Sequence, residues 1–583
     1  MHLAGRSKVN PKAFFNYAQS KRTLRKGIGQ IVDLCGITRT EDGDKAMALA
    51  EHFHKVHRKD AKSVPPTFSV DLVESQKMNN IIIKAGDVEK RVSKLKVAKA
   101  NGPDEIHPAV LKNIASIVAA PLADLFNQSI VESSLPEDWK KATVVPIHKG
   151  GRADGVGNYR PVSLTSVVLK LMEGLVRDEI AGHMVGHHLM SAKQHGFVKG
   201  RSCLTNLLLF LDEITSRLDK GEKVEVCYLD FQKAFDSVNH RFLLLKLRAY
   251  KISEEICRWI EQFLYKQTFA VAIGQSKSPK MEISSGVPQG SVLGPILFLI
   301  FINDLAHQIR NPSYLFADDL KIVGNPGDSL MQNDLEVLMK WTQDWDLPLN
   351  EGKCCQLLRA EAGNMERHLG GSGNGILNRV DTIKDLGITV NADFQFSDNC
   401  TQAAKKARRA FYQLKRTVSL RDPMVFVPLY KAIVRPHLEY CVQAWSPNLE
   451  KDKKKLEAVQ RLATRSVKGM KGKSYEDRLR HLNLFSLDRR RLRGDLIEAY
   501  KMLQGNDAEL QALLPRSNHT TLRGNQLKLA KPRVVTNVRK HFFASRVVNT
   551  WNKLPNNVIM SSFVETFKRK LDRIWSKTFP ELV

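Results

Sequence analysis

The sequence predicts an α+β fold, and three stretches carry that prediction. In Tyr314-Leu-Phe-Ala-Asp-Asp-Leu-Lys-Ile-Val323, two runs of strand-forming apolar residues meet at the adjacent aspartates Asp318 and Asp319. This is the pattern of a tight hairpin, since Asp tolerates the backbone angles such a turn needs. Val224-Glu-Val-Cys-Tyr-Leu229 reads as a second strand and delivers Asp230 at its end. Helical periodicity follows: between Leu330 and Trp345, the residues Met331, Leu335, Leu338, Thr342 and Trp345 share one face, which predicts a helix packed on the sheet. Carboxylates as close as 318 and 319 repel each other, so a divalent metal is their natural partner.

Taken in order, residues 1–85 show a basic opening (Lys21, Arg22, Arg25, Lys26), a helix from Asp42 to His57 and a Pro65-Pro66 break. No catalytic constellation stands out there. His52, His54 and His57 lack a carboxylate or a third ligand at helical spacing and are expected on the surface. Val88 to Leu95 reads as an amphipathic helix ended by the turn-rich Lys96–Asp104, and Pro108 to Leu135 as one helix closed by Pro136. Ala142–Ile147 is a strand, followed by the basic loop His148–Arg152 and then Tyr159–Leu164. Such a loop would set Lys149 and Arg160 over a phosphate, although an ordinary solvated hairpin fits the pattern equally well. Gln194–Ser202 is a glycine-punctuated basic stretch before a helix, Leu204–Leu218, with Arg201 as a candidate phosphate contact.

Beyond Asp230, Asp236 is expected to cap a helix beginning near Val238. Gly286–Phe298 joins a loop of three glycines and two prolines to an apolar helix, and Gln289 is its polar side chain best placed to touch a base pair or nucleotide. Lys353 stands exposed before a strand, Cys354–Leu358, as a phosphate contact or proton donor. Asp381–Val390 reads as one more strand with a turn glycine at 387.

Composition narrows the partners. The chain has 583 residues, 43% hydrophobic, with a formal charge of +29. That is enough for two to four domains and makes a polyanion, most commonly nucleic acid, the expected partner. Residues 401–583 hold 39 basic and 15 acidic residues, a net of +24. In the stretch 404–418, Ala404, Ala407, Phe411, Leu414 and Val418 fall on one helical face, and Lys405, Lys406, Arg408, Arg409, Lys415 and Arg416 on others. The eight cysteines show no metal-ligand spacing and suit a reducing compartment. The longest apolar stretch, Val292–Ile302, is too short to span a membrane, so the expectation is an intracellular protein without a membrane partner.

An ordered set of motifs now stands out: Asp230-Phe-x-x-Ala-Phe235-Asp, Gly286-Val-Pro-Gln-Gly-Ser-x-Leu-Gly-Pro295, Phe316-Ala-Asp-Asp319, Leu349-Asn-x-x-Lys353 and Asp385-Leu-Gly-Ile388. In this order and spacing the set resembles the reverse transcriptase of non-LTR retrotransposons of the jockey and chicken-repeat type. Lys96–Asp104, Pro146–Lys149, Tyr159–Pro161 and Gln194–Phe197 resemble its upstream segments. Tyr475–Leu479, Arg489–Arg491 and Ser545–Pro555 carry the likeness to about residue 575.

The resemblance implies a right-hand polymerase, with a linker over 1–85, fingers over 86–225, palm over 226–395, thumb over 396–475 and a basic C-terminal domain over 476–583; the reverse transcriptase domain as a whole would span about 125–392. It implies that Asp230, Asp318 and Asp319, with the backbone carbonyl of Phe231, hold two Mg²⁺ ions, for which Mn²⁺ can substitute. Phe235 would be an aromatic gate against the sugar 2′-position. Lys149 and Arg160 would grip the triphosphate, Gln289 support the templating pair, and Lys353 protonate the leaving group. Leu386, Gly387 and Ile388 would form the primer grip, and the basic face of 404–418, with Arg201, would meet an RNA template and DNA primer. Residence in the nucleus follows from the same resemblance. Members of this family carry an endonuclease domain before the polymerase; no motif for one is found, so the expectation is a truncated reading frame that extends primers, or a silent nucleic-acid-binding remnant.

Overall fold

Two β-sheets, each buried by helices, organise the computed structural model, which describes residues 5, 7, 10–20, 27–57, 65–359, 366–369, 375–517 and 525–578. Lys21, Arg22, Arg25 and Lys26 of the basic opening lie outside the described residues. The first half runs α1 (Asp42–His54), α2 (Ala85–Ser93), α3 (Ala115–Glu132), β1 (Lys141–His148), β2 (Tyr159–Leu164), α4 (Val167–Gly186) and α5 (Cys203–Asp219). The middle of the chain follows with β3 (Glu225–Asp230), α6 (His240–Ala249), β4 (Gln267–Ile273), α7 (Gly294–Ile302), β5 (Ser313–Phe316), β6 (Asp319–Gly324), α8 (Ser329–Asp344), β7 (Cys355–Leu358), β8 (Asn378–Val380), β9 (Thr382–Asp385) and β10 (Ile388–Asn391). The remainder is helical and includes α9 (Ser397–Thr417), α10 (Glu450–Arg465), α11 (Leu487–Gln504) and α12 (Val564–Thr578).

The first sheet pairs β2 with β1 antiparallel and β1 with β4 parallel. Helix α1 lies on it: Ala46, Leu49, Ala50 and Phe53 pack with Val144, Phe269 and Val271. The second sheet has the order β8-β7-β3-β6-β5 and puts β3 at its centre. Residues of β3 alternate between two cores, Val226 and Tyr228 on one side, Cys227 and Leu229 on the other. A strand buried on both faces reads as a nearly continuous apolar run, as 224–229 does apart from Glu225, which is buried against Arg367 (2.9 Å). Each such side chain contributes about 1.5–3 kcal/mol by leaving water. Local signals start the helices: Ser202 caps α5 by accepting from Thr205 N, and Asp328 caps α8 by accepting from Leu330 N.

Three elements differ from expectation. The single helix over 108–135 is two, Pro108–Asn113 and α3, because Ile114 leaves helical geometry (φ −113°). The strand over 381–390 is the hairpin β9–β10, turning at Leu386 (φ 42°) and Gly387 (φ 91°), both left-handed. Asp236 caps nothing: it sits inside a short turn, Ala234–Ser237, and Asn239 caps α6 by accepting from Phe242 N. In α9 the stripe Ala404, Ala407, Phe411 and Leu414 is buried, while Lys405, Lys406, Arg408, Arg409, Lys415 and Arg416 are exposed.

Candidate active site

The antiparallel pairing of β3 with β6 sets Asp319 directly across from Asp230, and the β5–β6 turn places Asp318 beside them. Next to Asp230, the backbone of Leu349–Asn350 closes on the strand end: Asn350 N donates to Asp230 O (2.7 Å) and Gln232 N to Pro348 O (2.8 Å), leaving Phe231 in an isolated bridge with Leu349 between them. Burial, then the negative charge of Asp230, raises the Asp318 carboxyl above its ordinary range. Asp319 opens to solvent but is flanked by protein on several sides; that desolvation, followed by the charges of Asp318 and Asp230, pushes it up to about 6. Lys353 Nζ donates to Asp230 Oδ2 (2.5 Å), a cation already resting on the third carboxylate. Among the described residues no three His, Cys, Asp or Glu side chains are gathered in ready metal-holding geometry. The donor set still fits a hard divalent cation, because it is all oxygen and its mutual repulsion is what a cation relieves.

The hairpin is held from outside by a loop. Ala317, one residue before Asp318, has φ 56°. Gln194 brackets it: Oε1 accepts from Ala317 N (2.8 Å) and Nε2 donates to Ala317 O (3.3 Å). Nothing in the spacing of Gln194 announced this role.

A cavity of about 600 Å³ opens in front of the carboxylates, and Asp230, Asp318, Lys149, Arg160, Lys353 and Gln289 all line it. Lys149 is depressed by desolvation and then by the neighbouring charges of Arg160 and Lys353, so these three cations share one region beside the acids. Gln289 is not free: its Nε2 donates to both carboxylate oxygens of Asp236 (2.8 and 2.9 Å). Burial pushes Asp236 up to about 6 despite that bond. The loop carrying Gln289 is fixed from behind by Glu173, fully buried, which accepts from Val292 N (2.5 Å) and Leu293 N (3.0 Å). Phe235 is half-buried, stacked on Phe298 with centroids 4.4 Å apart.

The turn Leu386–Gly387 stands close by. Tyr440 Oη donates to Leu386 O (2.9 Å), and a Cβ on Gly387 would meet the Tyr440 ring at 3.1 Å, while Ile388 is buried. Asp385 before the turn accepts from Lys321 Nζ (2.8 Å) on strand β6, both side chains all but buried. This pair fastens the turn to the strand that carries Asp319.

Two expectations need correction. Arg201 is not a free cation: its side chain, 11% exposed, pairs with Asp507 (2.9 Å) and Glu509 (3.3 Å), tying the loop before α5 to the C-terminal region. The histidines of residues 1–85 are not all surface groups. Of His52, His54 and His57, only His54 is exposed; His52 and His57 line the cavity and are pushed down to about 4, mainly by burial. His57 Nδ1 donates to Ser285 O (3.0 Å), so its neutral ring carries the proton there.

Residues 147–390 match the reverse transcriptase (RNA-dependent DNA polymerase) family. The chain is 26% identical over 402 residues to the RNA-directed DNA polymerase from mobile element jockey of Drosophila melanogaster, covering 66% of this chain and 43% of that protein. It is likewise 26% identical over 406 residues to the probable RNA-directed DNA polymerase from transposon BS of the same species, covering 66% and 44%. The chain thus spans less than half the length of these curated relatives. Among solved structures it is similar to apo telomerase from Candida tropicalis, with a TM-score of 0.35, 12% identity, and coverage of 63% and 66%. Residues 147–390 carry a reverse transcriptase domain, and the chain as a whole is similar, over 66% to 73% of its length, to the RNA-directed DNA polymerases of jockey and similar non-LTR retrotransposons.

Proposed function

We propose that the chain is an RNA-directed DNA polymerase that extends a DNA primer on an RNA template with deoxynucleoside triphosphates, using two Mg²⁺ ions or Mn²⁺ in their place. The observation that carries this reading is the cross-strand pairing of Asp319 with Asp230, with Asp318 beside them, at a cavity lined on the same side by Lys149, Arg160 and Lys353. Asp230, Asp318, Asp319 and the carbonyl of Phe231 would hold the ions, which when bound acidify a primer hydroxyl and neutralise charge on the phosphates. Lys149 and Arg160 bind the triphosphate. Lys353, which rests on Asp230 here, would meet the phosphates and hold a proton for the leaving group. Gln289, aimed by Asp236, supports the templating pair, and Phe235 bars a 2′-hydroxyl. The exposed basic face of α9 follows the template–primer backbone.

The test is primer extension by the purified chain on an RNA template with a DNA primer. Incorporation that needs Mg²⁺ or Mn²⁺ and disappears in Asp318→Asn is expected. A chain that binds the template–primer but incorporates nothing at any concentration of either ion would be the silent binding remnant instead.

A further inference from the structure

Phe197 departs from its surroundings in three ways. Its backbone is left-handed (φ 56°), a strained conformation for a bulky side chain that persists only where the structure enforces it. Its ring is 61% exposed although it adjoins a deep core. And that ring stands edge-on to Phe235, with centroids 6.0 Å apart and planes at 73°.

The enforcing structure is visible. His195 N donates to Leu315 O (2.9 Å) and Leu315 N to Lys193 O (2.9 Å), so the loop runs as a short extra strand along β5. Gln194 Oε1 accepts from Gly196 N (2.8 Å) as well as from Ala317 N. Gly196 lies so close that a Cβ there would come within 2.3 Å of Ala317 N. The loop is thus indexed to the residue before Asp318, and whatever follows Gly196 is placed relative to the catalytic carboxylates. A bland reading, a turn residue whose ring merely covers Phe235, leaves the exposure and the strain without a return.

We propose that Phe197 is a nucleic-acid contact, its ring lying against the sugar–base surface of the terminal template–primer pair beside the Phe235 gate. This rests on the polymerase reading above. The ring has no donor or acceptor for phosphate but offers apolar area to sugars and bases, as aromatics at nucleic-acid channels do.

The experiment uses the full chain and an RNA–DNA template–primer. Phe197→Ala is expected to raise the template–primer Kd roughly tenfold, with unchanged thermal melting because the ring is exposed, and Phe197→Tyr is expected to restore binding. In an Asp318→Asn background, Phe197→Trp is expected to change in fluorescence on adding the duplex, relative to the same background without the tryptophan. If the wild type extends primers while Phe197→Ala binds and extends within twofold of it and the tryptophan does not respond, the Phe197 proposal fails and the polymerase reading stands. If the wild type extends nothing, the polymerase reading fails first.

Discussion

Replacing Asp236 by Asn separates what its charge costs the fold from what it does for Gln289. The carboxyl is pushed up to about 6 from 3.8, chiefly by burial. At 1.36 kcal/mol per pKa unit, keeping it ionised at pH 8 costs about 3 kcal/mol. That cost is already net of the two charge-assisted bonds from Gln289 Nε2, which lower the pKa. An Asn side chain removes the buried charge and keeps one acceptor, but turns a donor toward the other position at a cost of about 1–3 kcal/mol. Relief of the charge and the misplaced donor offset each other, so Asp236→Asn should stay within about 2 kcal/mol of the wild type at pH 8. The folded pKa is raised, so the native state binds the extra proton between about 4 and 6. This group's contribution is therefore fully present below its unfolded pKa and is lost as pH rises through about 6, a slope the variant should lack. Gln289, held by one bond, should lose its aim: the KM for deoxynucleotide should rise on the order of tenfold. In the wild type the same KM should climb as pH falls below about 6, and in the variant that climb should flatten. Steady-state extension across pH, with denaturant melts at the same pH values, reads both. An unchanged KM with an unchanged pH profile would refute the coupling, and a loss of stability well beyond 2 kcal/mol would make Asp236 a structural anchor instead.

Lys321→Met strips the buried partner from Asp385 and should cost about 3–5 kcal/mol in denaturant melts, most of it recovered by pairing the change with Asp385→Leu; equal stability of the two variants would exclude a buried charge as the cause. Gln194→Ala removes both side-chain bonds to Ala317 and the bond to Gly196 N, so the Mg²⁺ needed for half-maximal extension should rise several-fold, together with the template–primer Kd; an unchanged Mg²⁺ requirement would contradict the bracket role. Neutralising Lys405, Lys406, Arg408 and Arg409 together should reduce the slope of log Kd against log salt by about 3, at 0.7–0.9 per phosphate contact. An unmoved slope would return that face to solvent.

Much of the local structure is legible in the sequence because it is written in single-residue preferences. The apolar run before Asp230, the hairpin around Asp318 and Asp319, the periodic face of α8 and the split of α9 into an apolar stripe and a basic surface all depend on which side of one element a residue falls. The resemblance adds which acids are proposed to hold the ions. Partners are another matter: Gln194 reaches Ala317 across 123 positions and Gln289 reaches Asp236 across 53, and no periodicity encodes such distances. Arg201 looked like a phosphate contact because basic loops before helices often are, yet it is claimed by Asp507 from 306 positions away. His52 and His57 looked like surface groups because no ligand stands near them in sequence, yet packing α1 on the first sheet turns them into the wall of the cavity.

The sequence alone determined the carboxylates, the strands and turns that carry them, and the charge that calls for a polyanion. Only the tertiary structure decided that Asp230 and Asp319 face each other, that the turn before Asp318 is clamped by a distant loop, and that Arg201 is paired with Asp507. The reason is physical: a residue's conformation follows from its neighbours in the chain, whereas its neighbours in space follow from how the whole chain buries its apolar surface.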